Sequence, residues 1–410
     1  MTSSGGAELA INDPYRNPEI FRFVGSMEGV PEWVDPAETG EQTGWRARAY
    51  VLLDAAARVA PGLLLALGLA ALANSAAPWL SARPLGLEAA PISPILLAIL
   101  AGLLVRNTVG LPLAYDEGIQ LAVRRILRLG VALLGIRLSL SAALGVGVIA
   151  LPIVALCVAA ALFLAAWMTR AFGLPRRLAI LVAVGTAICG NTAIAATAPL
   201  IGADEDETSY AVGTITLFGL LALFVYPVVA HLLFEGDARL TGLFLGTAIH
   251  DTAQVAGAGL LYAQQYGAPE ALDTATVTKL VRNLFMLVVI PLIVLQQRRS
   301  KPQEAPDRRL PLRQAVPFFV VGFAAMALVR TLGDLGTKPF GGLLDASAWS
   351  AAIDLVSASS TWCLAVAMAG IGLSTRVHQL RSLGLQPLAA GLAAALTVGV
   401  VSAALVLGLA

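Results

Sequence analysis

Three clusters of polar residues sit in stretches that are otherwise apolar. The first is GTAICGNTAIAATAPLIG, residues 185–202, which carries Thr186, Cys189, Gly190, Asn191 and Thr192. The second is LTGLFLGTAIHDTAQVAGAGLL, residues 240–261, with His250, Asp251 and Gln254 at its centre. The third is TVTKLVRNLFML, residues 276–287, with Lys279, Arg282 and Asn283. Glycine costs a helix about 1 kcal/mol relative to alanine. A Cys189–Gly190 break, with Asn191 or Thr192 as N-cap, would start a new half-helix in mid-membrane. Its free N–H groups and positive dipole end would suit an anion. The competing reading is that the small residues only let helices pack closely.

The other two clusters support a related chemistry. An ionisable side chain inside a membrane is costly, so His250 and Asp251 are candidates for carrying or gating a proton. His250 and Gln254 are four apart and would share a helical face, and Asp251 with Thr252 would cap a second half-helix. A hydrogen-bonded knot between helices is the structural alternative. Lys279 and Arg282, three apart, would face a cavity and neutralise an anion with help from Asn283, or else snorkel to the interface. In the first case, alanine at Lys279 or Arg282 removes anion binding and leaves the protein folded. Two weaker candidates remain. Arg128, in the arginine-rich stretch from Arg124, would pair with Asp354 or line the inner vestibule, and DLVSASSTW (354–362) is a third place where a helix would open.

The elements that hold these residues follow from composition. Of 410 residues, 58% are hydrophobic and 13% charged, with a net charge of +1. A soluble domain is about 25% charged, so this chain needs an apolar solvent. The charge balance gives no reason to expect a nucleic-acid partner. No GxGxxG, Walker loop, HExxH or CxxC occurs, and one histidine beside one aspartate is no metal set. Neither an enzyme nor a cofactor or metal is therefore expected. Cys157, Cys189 and Cys363 read as small hydrophobes.

Residues 1–55 are polar, aromatic and proline-broken. They form a separate N-terminal segment, with Phe21, Phe23 and Trp33 available for docking. Residues 56–410 form the membrane domain. Eleven stretches approach the roughly 20 apolar residues that a crossing needs, near 60–79, 93–108, 118–138, 143–168, 178–200, 209–233, 240–263, 275–297, 314–332, 349–373 and 386–409. Basic residues gather on alternate connections: Arg46, Arg48 and Arg58; Arg170, Arg176 and Arg177; Arg298 to Arg313; Arg376 and Arg381. The opposite side has only Arg83, Arg137 and Lys338. That asymmetry places the N-terminus in the cytoplasm and the C-terminus outside. LLGIRLSLSAALG (133–145) and MAGIGLSTRVHQL (368–380) echo each other in oppositely directed spans, as an inverted repeat requires.

The series GTAICGNTAIAATAPLI, FVYPVVAHLL, GTAIHDTAQVAGAG, TKLVRNLFMLVVIPL and LAVAMAGIGLSTRVHQLRSLGLQPL resembles the YeiH-type family, described as sulfate exporters, over residues 60–410. That family is grouped with the cation–proton antiporters and anion transporters. The resemblance implies an all-α polytopic protein of the bacterial inner membrane. It further implies inverted repeats, broken crossing helices, a core and a panel or dimerisation domain, a homodimer and elevator-like alternating access. His250, Asp251, Gln254, Lys279 and Arg282 match its motifs. Asn191 and Thr192 stand where the family commonly has alanine-like residues. The function expected is secondary transport of a small anion such as sulfate or a related sulfur oxyanion. His250 and Asp251 would handle a coupling proton, and sodium is the other candidate coupling ion. The alternative is a sodium–proton antiporter using Asp251.

Overall fold

The computed structural model describes residues 45–82, 93–300, 318–335, 339–376 and 385–409. The N-terminal residues 1–44 lie outside them, with the proposed docking aromatics. So do Arg83, Lys301, Arg308, Arg309, Arg313, Lys338 and Arg381 from the charge count. All regular structure among the described residues is helical. In chain order the helices are α1 (Trp45–Ala82), α2 (Pro94–Thr108), α3 (Asp116–Leu121), α4 (Leu127–Leu134) and α5 (Leu140–Ala171). Next come α6 (Arg176–Ala187), α7 (Asn191–Ile201), α8 (Glu205–Leu233), α9 (Ala238–Ala248) and α10 (Thr252–Tyr266). The series ends with α11 (Pro269–Leu284), α12 (Met286–Ser300), α13 (Phe318–Gly333), α14 (Ala346–Ser374) and α15 (Leu385–Leu409). A π-helical turn, Ala122–Ile126, joins α3 to α4.

Among the described residues, six helical stretches are long and apolar enough to cross a membrane by length and composition: Leu53–Leu80, Leu140–Leu164, Glu205–Leu233, Pro269–Gln296, Ala346–Ser374 and Gln386–Leu409. Their packing shows what surrounds them. Helix α5 buries Ala150, Ile153, Val154, Cys157 and Ala161 along one face. It turns Leu144, Val148, Leu151 and Phe163 outward, with Phe163 80% exposed. The buried set recurs every three or four residues, as one face of a helix must. An outer face this apolar is stable only against lipid or another protein.

The helices pack as two groups. One comprises α1, α2, α3, α4, α13 and α14. Its centre holds Ala66, Ala70, Ala98, Ile119, Ala122, Val366, Ala369 and Leu373. The other comprises α5 to α12 and α15. The chain therefore enters the first group, leaves it after α4, returns for α13 and α14, and finishes in the second. Few polar contacts join the groups. Arg137 pairs with Asp273 of α11 at 3.1 Å. Ser93 donates to the Gln264 side chain of α10 at 2.7 Å. The Leu140 N–H donates to Thr331 of α13 at 2.7 Å.

Two of the stretches expected to span are split, and one expected opening is closed. The chain leaves helical geometry between α6 and α7, and again between α9 and α10. By contrast α14 runs unbroken through DLVSASSTW. Its hydroxyls explain why. Ser359 and Thr361 donate to the carbonyls of Leu355 and Ser357 within the same helix. Ser360 donates to the Gly130 carbonyl of α4 at 2.7 Å. These side chains satisfy themselves without opening the backbone.

Candidate functional site

Helix α6 ends at Ala187, and the next helical residue is Asn191. Gly190 is the N-cap of α7, with φ 67° and ψ −127°. A side chain adopts that conformation only under strain, so the break needs glycine there. Asn191 is thus the first residue of α7 and not its cap, while Thr192 is exposed. The second break is closed by side chains. Asp251 is the N-cap of α10 and accepts the Ala253 N–H at 2.8 Å. Gln254 completes a capping box by accepting the Asp251 N–H at 3.3 Å. His250 lies in the break itself. It therefore does not share a helical face with Gln254, because the 3.6-residue period does not run through an interruption.

The two breaks lie against each other. A Cβ on Gly190 would come within 2.9 Å of Asp251 Oδ2 and 3.2 Å of Asp251 Cα. The Asn191 backbone N–H also faces the Asp251 carboxylate. Helix α8 ties both breaks to one residue. The Asn191 side-chain amide donates to Thr216 Oγ1 at 3.2 Å, and that of Gln254 donates to the Thr216 carbonyl at 3.3 Å.

Helix α11 supplies the cations, and its approach depends on residue size. Gly242 and Gly246 of α9 face Thr274 and Thr278 of α11. A Cβ at either glycine would lie 2.5 or 2.6 Å from the threonine Cβ. The two backbones can therefore come close enough for Lys279 and Arg282 to reach the breaks. Lys279 is 1% exposed and Arg282 is fully buried, which removes the snorkelling alternative. Lys279 Nζ donates to the carbonyls of Ile188 at 2.9 Å, Ile249 at 3.0 Å and His250. Arg282 donates through Nε to Ala187 at 2.6 Å and through its terminal nitrogens to Thr186, Thr247 and Ile249. These acceptors are the last carbonyls of α6 and α9 and the break residues that follow. A helix end leaves such groups without a partner.

This corrects the role expected for the two cations. They do face the breaks, but their donors go to backbone carbonyls, and both side chains hold the two half-helices in place. Arg128 does not take the first of its two expected roles. No ion pair joins it to Asp354 among the described residues, and its charge acts on Asp251. Asn283 donates to Thr252 Oγ1 at 3.3 Å, at the first residue of α10.

The arrangement sorts helix ends by charge. The negative ends of α6 and α9 meet Lys279 and Arg282, and the positive ends of α7 and α10 meet Asp251. Several buried polar atoms around the breaks have no protein partner: Thr186 Oγ1, Asn191 Oδ1, Asn283 Oδ1 and both ring nitrogens of His250. Buried polar atoms are nearly always hydrogen-bonded, so these five stand out as unsatisfied. Thr186, Cys189, Gly190, Asn191, His250, Asp251, Gln254, Lys279, Arg282 and Asn283 come together here, and Thr192 stands apart. Thr216 and Gly219 of α8 were missed. Gly219 leaves the room that the Gln254 side chain occupies, since a Cβ there would lie 1.9 Å from Gln254 Oε1. In the sequence they are an ordinary threonine and glycine of an apolar span, and nothing nearby marks them.

Comparison with known proteins places the chain. The family described as conserved hypothetical protein 698 matches residues 61–391. The chain belongs to this family. It is 32% identical over 358 residues to UPF0324 membrane protein PA5383 of Pseudomonas aeruginosa, covering 85% of this chain and 92% of that one. It is 30% identical over 332 residues to UPF0324 inner membrane protein YeiH of Salmonella typhi, covering 80% and 88%. No solved structure matches it. The resemblance read from the motifs is thus correct, and the chain is a multi-pass inner-membrane protein. The match begins at residue 61, beyond the polar N-terminal segment.

Proposed function

We propose that the protein is a secondary active transporter of a small anion, such as sulfate or a related sulfur oxyanion, with its site at the two facing breaks. One observation carries this reading. The positive ends of α7 and α10 converge on one point, while cations occupy the negative ends of α6 and α9. Two fixed positive charges close to the site attract an anion and repel a metal cation. The reading takes eleven crossings, counting α6 with α7 and α9 with α10 as one broken span each, and treats the chain as an inverted repeat. The N-terminus is cytoplasmic and the C-terminus outside. The second packing group moves as a core against the first, which serves as panel and homodimer contact. The sparse polar contacts between the groups suit such elevator-like movement.

A buried carboxylate, Asp251, also supports a second reading as a sodium–proton antiporter. Lys279 and Arg282 weigh against it. The test uses the full chain in liposomes on a solid-supported membrane. Charge movement is recorded on jumps of sulfate, sulfite, bicarbonate, taurine, sodium and potassium at two pH values. A transient with one or more of the anions, and none with sodium, is expected. Transients with sodium and with no anion would replace the proposal by the antiporter.

A further inference from the structure

We propose that Asp251 is the resident anion of this site. Its ionised carboxylate holds the position between α7 and α10 that the transported anion takes, so each anion enters together with one proton on Asp251. This rests on the anion-transporter reading above and deepens it by naming the coupling ion and the charge of the substrate.

Placement carries the argument. The carboxylate accepts the Ala253 N–H at the start of α10 at 2.8 Å. It also faces the Asn191 N–H at the start of α7. Those are the free donors that an oxyanion would use at a helix N-terminus. Side chain and substrate therefore compete for the same groups. Protonation settles the competition. One proton from water forms an O–H bond on the carboxylate, its negative charge disappears, and the N–H groups are released to the incoming anion. The O–H bond of the hydronium ion that supplies the proton breaks, and no other bond forms or breaks. His250, next to Asp251 in the chain, is 1% exposed and neither of its ring nitrogens has a protein partner. A neutral imidazole always carries one N–H, which is a further donor for an oxyanion.

The charges indicate which anion. Lys279 Nζ has three carbonyl partners. An ammonium, with its three N–H donors, can serve all three at once. Arg282 is charged at all relevant pH. The two negative and two positive half-helix ends offset one another. With Asp251 ionised, the two cations at the breaks and Arg128, whose charge acts on Asp251 more weakly than that of Lys279, face one carboxylate. With Asp251 protonated, the two cations at the breaks are left without a counter-charge, and a doubly charged oxyanion balances them. The titratable or charged groups facing Asp251 are Lys279 of α11, Arg128 of α4 and Cys189 in the first break; the charges acting on His250 are those of Arg282 and Lys279.

The test is calorimetric titration of the purified full chain with sodium sulfate. Buffers of different ionisation enthalpy count the protons taken up, and the titration is repeated across pH. The wild type is expected to take up one proton per sulfate, its affinity falling about tenfold per pH unit on the alkaline side. Nitrate, of single charge, binds more weakly. Asp251→Asn keeps an N-cap and should bind sulfate with no proton uptake and little dependence on pH. Asp251→Ser, also a good cap, serves if the asparagine variant does not fold. Sulfate binding by the wild type without proton uptake, or a variant that keeps the wild-type pH slope, overturns the inference and leaves the anion site standing. Binding of sodium and of no anion overturns both.

Discussion

Replacing Arg282 by alanine should unfold the site, not merely empty it. The guanidinium is fully buried and serves the carbonyls of Thr186, Ala187, Thr247 and Ile249. Of these, only Ile249 keeps a second partner, Lys279. Alanine therefore strands three carbonyls at two helix C-termini, out of reach of bulk water. A buried polar group left without its partner costs about 1–3 kcal/mol, so the three together cost roughly 3–9 kcal/mol. Whole domains are stable by only about 5–15 kcal/mol. The loss takes a large share of that margin.

Arg282→Lys tests the same reasoning from the other side. It keeps the charge but loses the planar fork that serves two helix ends at once, so its stability should lie between wild type and Arg282→Ala. The assay is thermal unfolding of the detergent-purified full chain, read by fluorescence-detected size exclusion after heating. We expect Arg282→Ala to lose about 10 °C or more in apparent melting temperature, or to fail to yield a monodisperse peak. A monodisperse Arg282→Ala protein that melts with the wild type and lacks only anion binding would refute this. The arginine would then belong to the substrate, as the sequence alone suggested.

Two further outcomes follow from local geometry. Gly190→Ala puts a Cβ at φ 67° and within 2.9 Å of the Asp251 carboxylate, so it should cost about 1–3 kcal/mol and abolish charge movement; wild-type transport would show that the break relaxes freely. Asp334, just after α13, accepts from Trp349 Nε1 at 2.9 Å and from Arg330. The Trp349 hydrogen bond first, and then Arg330, hold its carboxyl below the usual range. A depressed folded value means that the stabilisation is present above the unfolded pKa of about 3.9 and is lost as pH falls through the folded value. Emission from a variant with Trp349 as its only tryptophan should therefore stay constant down to about pH 4 and change below it. A change centred near neutrality would show that another group controls the indole.

The apolar stretches and the first break were legible because they leave one-dimensional signals: hydrophobic runs, and glycine beside asparagine where lipid would tolerate neither. The second break was legible through Asp251 and Thr252, which cap. The partners of Lys279 and Arg282 were not legible. Every acceptor is a main-chain carbonyl from residues 29 to 96 positions away, and a carbonyl has no letter in a sequence. Two buried cations thus read as a ligand site when much of their task is to finish two helices. The serine run of α14 misled in the opposite direction, because hydroxyls that can open a helix can also bond back within it.

Satisfying the negative ends with side chains on a third helix has a consequence for selectivity. A broken helix pair offers a cation site and an anion site together, since it has C-termini and N-termini at the same depth. Here the carbonyl ends, which would coordinate sodium, are filled by groups that cannot leave: Lys279 and Arg282 are tethered, buried and fully engaged. The N-terminal ends are filled by Asp251, which can release them by gaining a proton. Only one of the two latent sites can be vacated without moving a helix. On the proposed anion-transporter reading, selectivity is decided less by what binds the substrate than by which built-in counter-ion can be switched off.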